Sequence, residues 1–179
     1  MNRNAITMVE ICVVALITAL LAGGLFMMIS NTGKQNQLLD QRLHFNSSAQ
    51  VLFDALKNDL RSLKKIIVVP EMVEIAKVTD FNSDGEELLE TVIYKITDRT
   101  VTRSQGSKHN SYQLINDGMK RLGQTMTGTF SLDNLENSDD YTTGTLLTCF
   151  SVKDSSGRPV TGFEATMSVD IRWLNQPVD

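Results

Sequence analysis

A lone carboxylate stands at the mouth of a long apolar run. Glu10 follows Ala5-Ile6-Thr7-Met8-Val9 and precedes a stretch from Ile11 to Ile29 broken only by Thr18 and the pair Gly23-Gly24. An ionised side chain at bilayer depth costs about 2.5–3.5 kcal/mol and is kept where a partner satisfies it. Solubility does not explain Glu10, because the segment around it is otherwise stripped of charge. Glu10 therefore reads as a pairing group, and its expected partner is another chain.

A second cluster offers oxygen ligands. Asp80, Asn82 and Asp84 stand at alternate positions with Gly85 sixth, which matches the start of a calcium loop. That pattern calls for a bidentate glutamate where Thr91 stands, and Glu90 misses the position by one. Glu86 and Glu87 offer further carboxylates nearby. The same residue types build an ordinary turn before a strand, so Ca2+ and a plain turn both stand. If calcium binds, it stiffens a surface loop and performs no chemistry.

Nothing else points to catalysis. His44 lies on a helix and His109 in a polar loop, and neither joins a Ser/His/Asp or Cys/His arrangement. No Gly-rich phosphate loop and no paired-cysteine metal spacing occur. Cys12 belongs to the apolar run and Cys149 to a strand-like segment, too unlike in setting for an internal disulfide. Cys149, flanked by Leu147 and Phe150, reads as a small buried residue. The expectation is a non-enzyme with no resident cofactor, against the alternative of a membrane-anchored extracytoplasmic binding domain or hydrolase.

The elements that position these groups follow from periodicity. The 179 residues carry 17 basic and 21 acidic side chains, net −4, without blocks. That is a single-domain length once a membrane segment is set aside, and it lacks the clustered basic surface of a nucleic-acid binder. Beyond Ile29, apolar residues recur at Leu38, Phe45, Ala49, Leu52, Phe53, Leu56, Leu60 and Leu63, the spacing of one helix face. Lys34, Gln37, Asp40, Gln41, Asn58, Asp59 and Arg61 take the polar face. No proline precedes Pro70, so one helix is expected from Ile6 to about Leu63, about 87 Å long.

From Lys64 onward the pattern is β-rich. Ile66–Val69 is a short apolar strand. Thr91–Thr97 and Thr100–Arg103 flank Asp98-Arg99 as a hairpin. Gly144–Val152 is a strand closed by the loop Lys153–Pro159. Phe163 to Trp173 alternates, with Met167, Val169, Ile171 and Trp173 on one face. Gly106 to Tyr141 gives no clear pattern, beyond an exposed loop at Ser138-Asp139-Asp140. The expected class is α+β, with an antiparallel sheet packed on one side against the helix.

The amino-terminal block resembles that of type IV prepilins and type II secretion pseudopilins. The resemblance implies a leader over residues 1–5, prepilin peptidase cleavage after Ala5, and an N-methylated mature terminus at Ile6. Glu10 then falls fifth in the mature chain, as in that family. Alanine stands before the cut where the family has glycine, and isoleucine after it where phenylalanine is usual. A secretory signal peptide fits less well, since Glu10 intrudes on its apolar region and Leu20-Leu21-Ala22 is a poor cleavage triplet. A plain anchor, for which about 20 apolar residues suffice, has no use for Glu10.

Farther on, Asp59-Leu60-Arg61 is similar to the helix close of J-type pseudopilins and W-type minor pilins. Tyr94-Lys95-Ile96, a turn, and Val101-Thr102-Arg103 match the hairpin that follows there. Taken alone, Asp59 and Arg61 read as a solvated helix face. The resemblance implies a pilin-like fold: filament-core helix over 6–30, its amphipathic continuation over 31–63, and a β-rich domain over 64–179. It implies a single-pass protein of the bacterial inner membrane that joins a pilus or pseudopilus, near the tip. Implied partners are other pilins or pseudopilins, the prepilin peptidase, an inner-membrane assembly platform and lipid; no nucleic acid is expected.

Overall fold

The computed structural model describes residues 8–138 and 140–174. The leader and the cleavage point at Ala5 and Ile6 lie outside the described residues. The chain divides into two compact units between Asp40 and Gln41. Helix α1 (Met8–Leu60) runs through that division.

In the first unit every described residue of α1 is exposed. The hydroxyls of Thr18 and Thr32 donate to the carbonyls of Val14 (2.8 Å) and Met28 (2.9 Å), four residues back. Each polar atom is thereby satisfied inside the helix, and the apolar surface continues past it.

The second unit holds the rest of α1 and two antiparallel sheets. β1 (Leu63–Val69), β2 (Met72–Phe81), β3 (Glu87–Ile96), β4 (Thr100–Gln105) and β5 (Lys108–Gln113) form a five-stranded meander in sequence order. After the short helix α2 (Asp117–Arg121), β6 (Thr125–Asn137), β7 (Tyr141–Lys153) and β8 (Pro159–Leu174) form a three-stranded one. The sheets are joined at turns: Phe130 N–H donates to Pro70 O at 3.0 Å and Met126 N–H to Asp98 O at 2.8 Å. The class is α+β, with helix packed on antiparallel sheets, but there are two sheets where one was expected.

The core forms where the helix stripe meets the inner faces. Phe45, Ala49, Leu52, Phe53, Leu56 and Leu60 are buried against Val73, Ile75, Val92, Tyr94 and Val101 of one sheet. They also meet Phe130, Leu146, Phe150, Phe163 and Met167 of the other. Phe45 meets Phe163 edge-on and Phe53 stacks on Phe150, centroids 5.9 Å apart in both pairs. Gly128 makes room for the Phe150 ring, since a β-carbon there would lie 2.4 Å from it.

Several expectations are corrected. The helix stops at Leu60, not about Leu63, because Leu63 already pairs with Lys77 in the β1–β2 ladder. Gln41 and Asp59, assigned by type to the polar face, are 4% and 3% exposed. Their positions continue the stripe, and position decides. Cys149 is exposed, because the inward side chains of β7 are Leu146, Thr148 and Phe150, and its odd-numbered neighbours point away. The segment without a clear pattern contains β5, α2 and β6.

Candidate functional site

Two places gather the residues the sequence singles out. The first is the exposed start of α1. Glu10 lies in its first turn, and from Ile11 to Ile29 the large apolar side chains are 50–74% exposed. Those that face solvent include Leu16, Ile17, Ile29 and Phe26, which at 100° per residue fall about 0°, 100°, 220° and 280° around the helix and so encircle it. A helix apolar all round belongs in a membrane or a packed protein core, and this one is long and apolar enough to span a bilayer.

The second is a clamp on the last turn of α1. Both oxygens of the Asp59 carboxylate are occupied. Oδ1 accepts from Lys77 Nζ at 2.7 Å and from Arg103 Nη2 at 2.9 Å. Oδ2 accepts from Tyr94 Oη at 2.7 Å and from Arg103 Nε at 2.7 Å. The Arg103 fork is thus bidentate, the strongest form of this contact. Arg103 Nη2 also donates to Gln105 Oε1 at 2.6 Å, and Gln105 Nε2 donates to Glu90.

The sheet places these donors by register. Tyr94 pairs with Arg103 across β3–β4, and Lys77 with Glu90 across β2–β3. All four share the inner face with Val73, Ile75 and Val92. That face turns from apolar to charged under the end of the helix, where Asp59 meets it.

The electrostatics follow. Burial alone would raise the Asp59 pKa, but hydrogen bonds from Arg103, Lys77 and Tyr94 outweigh it and hold the carboxyl below its usual range. Burial first, and then the adjacent carboxylate, push the Tyr94 hydroxyl far up, so it stays protonated and donates. The hydrogen bond to Asp59 likewise raises Arg103. Asp59, Tyr94 and Arg103 are thus each held in the charge state that their mutual hydrogen bonds need, which fixes the geometry of the clamp.

The suspected calcium residues form a tight turn between β2 and β3. Asn82 Oδ1 accepts from the amides of Asp84 (2.9 Å) and Glu86 (2.8 Å), and Asn82 Nδ2 donates to Glu86 Oε2 at 2.9 Å. Asp80 Oδ1 accepts from the Phe81 amide at 2.9 Å, and Gly85 takes a positive φ of 81°. The Asn82 side chain and one Asp80 oxygen are thus engaged within the turn itself, and among the described residues no group of three or more His, Cys, Asp or Glu is placed to hold a metal ion. His44 Nε2 lies 3.0 Å from Gln113 O and His109 Nδ1 3.0 Å from Ser104 Oγ, so the two histidines serve separate local contacts.

In the sequence Asp59, Tyr94 and Arg103 belong to two separate short motifs. The stripe spacing, with Asp59 three residues after Leu56, signals that Asp59 faces inward, whereas its meeting with Tyr94 and Arg103 depends on the register of the β3–β4 hairpin. Comparison with protein-family models, with curated proteins and with solved structures gives no match.

Proposed function

We propose that this chain is a non-enzymatic minor pilin or pseudopilin subunit. It waits in the inner membrane on the apolar half of α1 and then joins a type IV pilus or type II secretion pseudopilus. One observation carries the reading: an apolar helix surface exposed on every side and opened by the single carboxylate of Glu10. In assembly these surfaces pack side by side, and Glu10 answers the amine of a neighbour whose mature chain starts at Ile6. The attraction is large in a low dielectric, but desolvation of both groups offsets much of it. Its value is alignment, setting how far each helix slides past the next. The folded unit faces outward, and the resemblance of Asp59, Tyr94 and Arg103 to J- and W-type proteins supports a place near the tip.

Glu10→Leu tests this. The variant should insert into membranes as well as the parent and keep the β unit folded. Cross-linking to partner pilins and incorporation into filaments should both fall. Normal incorporation would make a plain membrane anchor the better account.

A further inference from the structure

The folded unit is electrically lopsided. One end gathers the turn between β3 and β4, the helix α2 and the loop between β7 and β8. Met126 N–H donates to Asp98 O at 2.8 Å, Thr125 pairs with Lys153, and a β-carbon on Gly123 would lie 3.1 Å from Ser155. These contacts bring Arg99, Lys120, Arg121, Lys153 and Arg158 to one end of the unit, with Arg99, Arg121 and Arg158 exposed. Among the described residues none of these but Lys120 is in an ion pair.

Three carboxylates stand among them, and two are engaged locally. Asp117 pairs with Lys120 at 2.9 Å. Asp154 Oδ1 accepts from the amides of Ser156 (2.8 Å) and Arg158 (2.9 Å), which spends its charge on its own loop. Glu71 and Lys95, neighbours where β2 and β3 meet, offset each other. Five cations against three carboxylates (Asp98 is the third) leave this end at +2 in a chain of net −4. The other ends of the same strands are acidic. The β2–β3 turn carries Asp80, Asp84, Glu86 and Glu87 against Lys64, and the β6–β7 hairpin carries Asp133, Glu136 and Asp140. An anionic surface would attract one end and repel the other.

The basic end is also where the chain enters the unit. Gln41 is the first residue of that unit, and its Nε2 lies 3.3 Å from where a Gly118 β-carbon would stand. Arg42 Nη2 donates to Thr161 O at 3.0 Å, beyond the β7–β8 loop. Residues 30–40 join Gln41 to the apolar run. In an anchored chain this end is therefore held within about 43 Å of the end of the run, whatever the joining residues do. Tethering makes contact with the bilayer intramolecular, so weak attraction suffices. Each Lys or Arg near an anionic membrane surface favours the contact about fivefold. Leu122, 55% exposed beside Arg121, adds an apolar side chain that an interface can bury. Nucleic acid could use the same cations, but nothing tethers it here and it has no use for Leu122.

We propose that this end of the folded unit docks on anionic phospholipid headgroups, with Arg99, Arg121, Lys153 and Arg158 on the phosphates and Leu122 in the interface. The proposal rests on the membrane anchoring in the reading above and not on filament assembly.

The test uses the full chain with Cys12→Ser and Cys149→Ser, reconstituted in phosphatidylcholine vesicles with or without phosphatidylglycerol. A fluorophore on Thr125→Cys reports quenching by spin-labelled headgroups, and one on Ser83→Cys in the acidic turn is the control. With phosphatidylglycerol present, quenching at position 125 should exceed that at position 83 severalfold. The excess should vanish in phosphatidylcholine alone and at high salt. Arg121→Glu with Arg158→Glu should abolish it and Leu122→Ser should lower it severalfold, both with the thermal unfolding of the β unit unchanged. Equal quenching at the two positions, in chains that float with the vesicles, overturns the docking and leaves the anchor intact. An excess that is the same in both lipids overturns the role of the cations. A short DNA duplex that binds while the label at position 125 stays unquenched assigns the cations to nucleic acid and overturns the proposal. Chains that do not float with vesicles overturn the anchoring and this proposal with it.

Discussion

One helix obeys two opposite rules. Between Ile11 and Ile29 its apolar side chains face outward on all sides, whereas from Gln41 to Leu60 the large ones other than Leu43 and Val51 form one stripe sealed against two sheets. The charges differ in the same way. Glu10 opens the exposed half, while Asp59 closes the buried half inside a ring of four donated hydrogen bonds. At Asp59 the carboxylate on an apolar helix face is used to fasten the helix to its own sheet, and under the proposed assembly Glu10 has a second use, toward a neighbouring chain.

Breaking the buried half should have the largest effect. Asp59→Ala leaves Lys77, Tyr94 and Arg103 without their common acceptor, and removing one member of a buried ion pair costs about 3–5 kcal/mol. Thermal unfolding of the β unit should move down accordingly, while membrane association stays as in the parent. The exposed half should behave in the opposite way. Ile17→Arg should weaken membrane insertion by about 2.5–3.5 kcal/mol, read as release by mild extraction, with the unfolding transition of the β unit unmoved. If either substitution shifts both readouts, the two halves are not energetically separate.

Acid sharpens the comparison within the clamp. Because the folded-state pKa of Asp59 lies below its unfolded value, its stabilisation is complete above about pH 4 and is lost as pH falls through the folded pKa. Unfolding temperatures measured from pH 6 down to 2 should therefore fall less steeply for Asp59→Asn than for the parent. Parallel curves would mean the carboxylate is not stabilised in the folded chain. The smallest effect concerns the turn at Asn82. Asn82→Ala should cost about 1 kcal/mol through two lost backbone hydrogen bonds, and millimolar calcium should leave the parent's melting temperature unchanged. A calcium-induced rise would mean the turn opens to bind the ion.

Much of the fold was legible because few residues had to be right. The stripe Phe45, Ala49, Leu52, Leu56 announces a packed helix, and the alternation from Phe163 to Trp173 announces β8. β2 was missed although Val73 and Ile75 alternate with Glu74, because the mixed residues after Pro70 mask a short inner face. β6 was harder to read. Only Met126 and Phe130 are buried on it, and Gly128 between them contributes space for Phe150 instead of a side chain. The clamp was misread for a different reason. Assigning a helix face by residue type put Asp59 in water, whereas its distance of three from Leu56 puts it inside. What no local pattern could supply was the pairing of Tyr94 with Arg103 beneath it, which depends on the register of a hairpin 35 residues away.

β8 runs in the direction of α1, since Arg42 Nη2 donates to Thr161 O, Phe45 meets Phe163 and Lys57 lies by Ser168, and this has a mechanical consequence. Tension drawn along the helix from residue 41 would load Phe45, Ala49, Leu52, Phe53 and Leu56 together, as shear across their whole length. It would not peel them one at a time. The Asp59 clamp sits at the far end of that seam, so its bonds stretch only when the entire stripe has begun to slide. A fold built this way resists pulling along its helix axis far better than prying at its side.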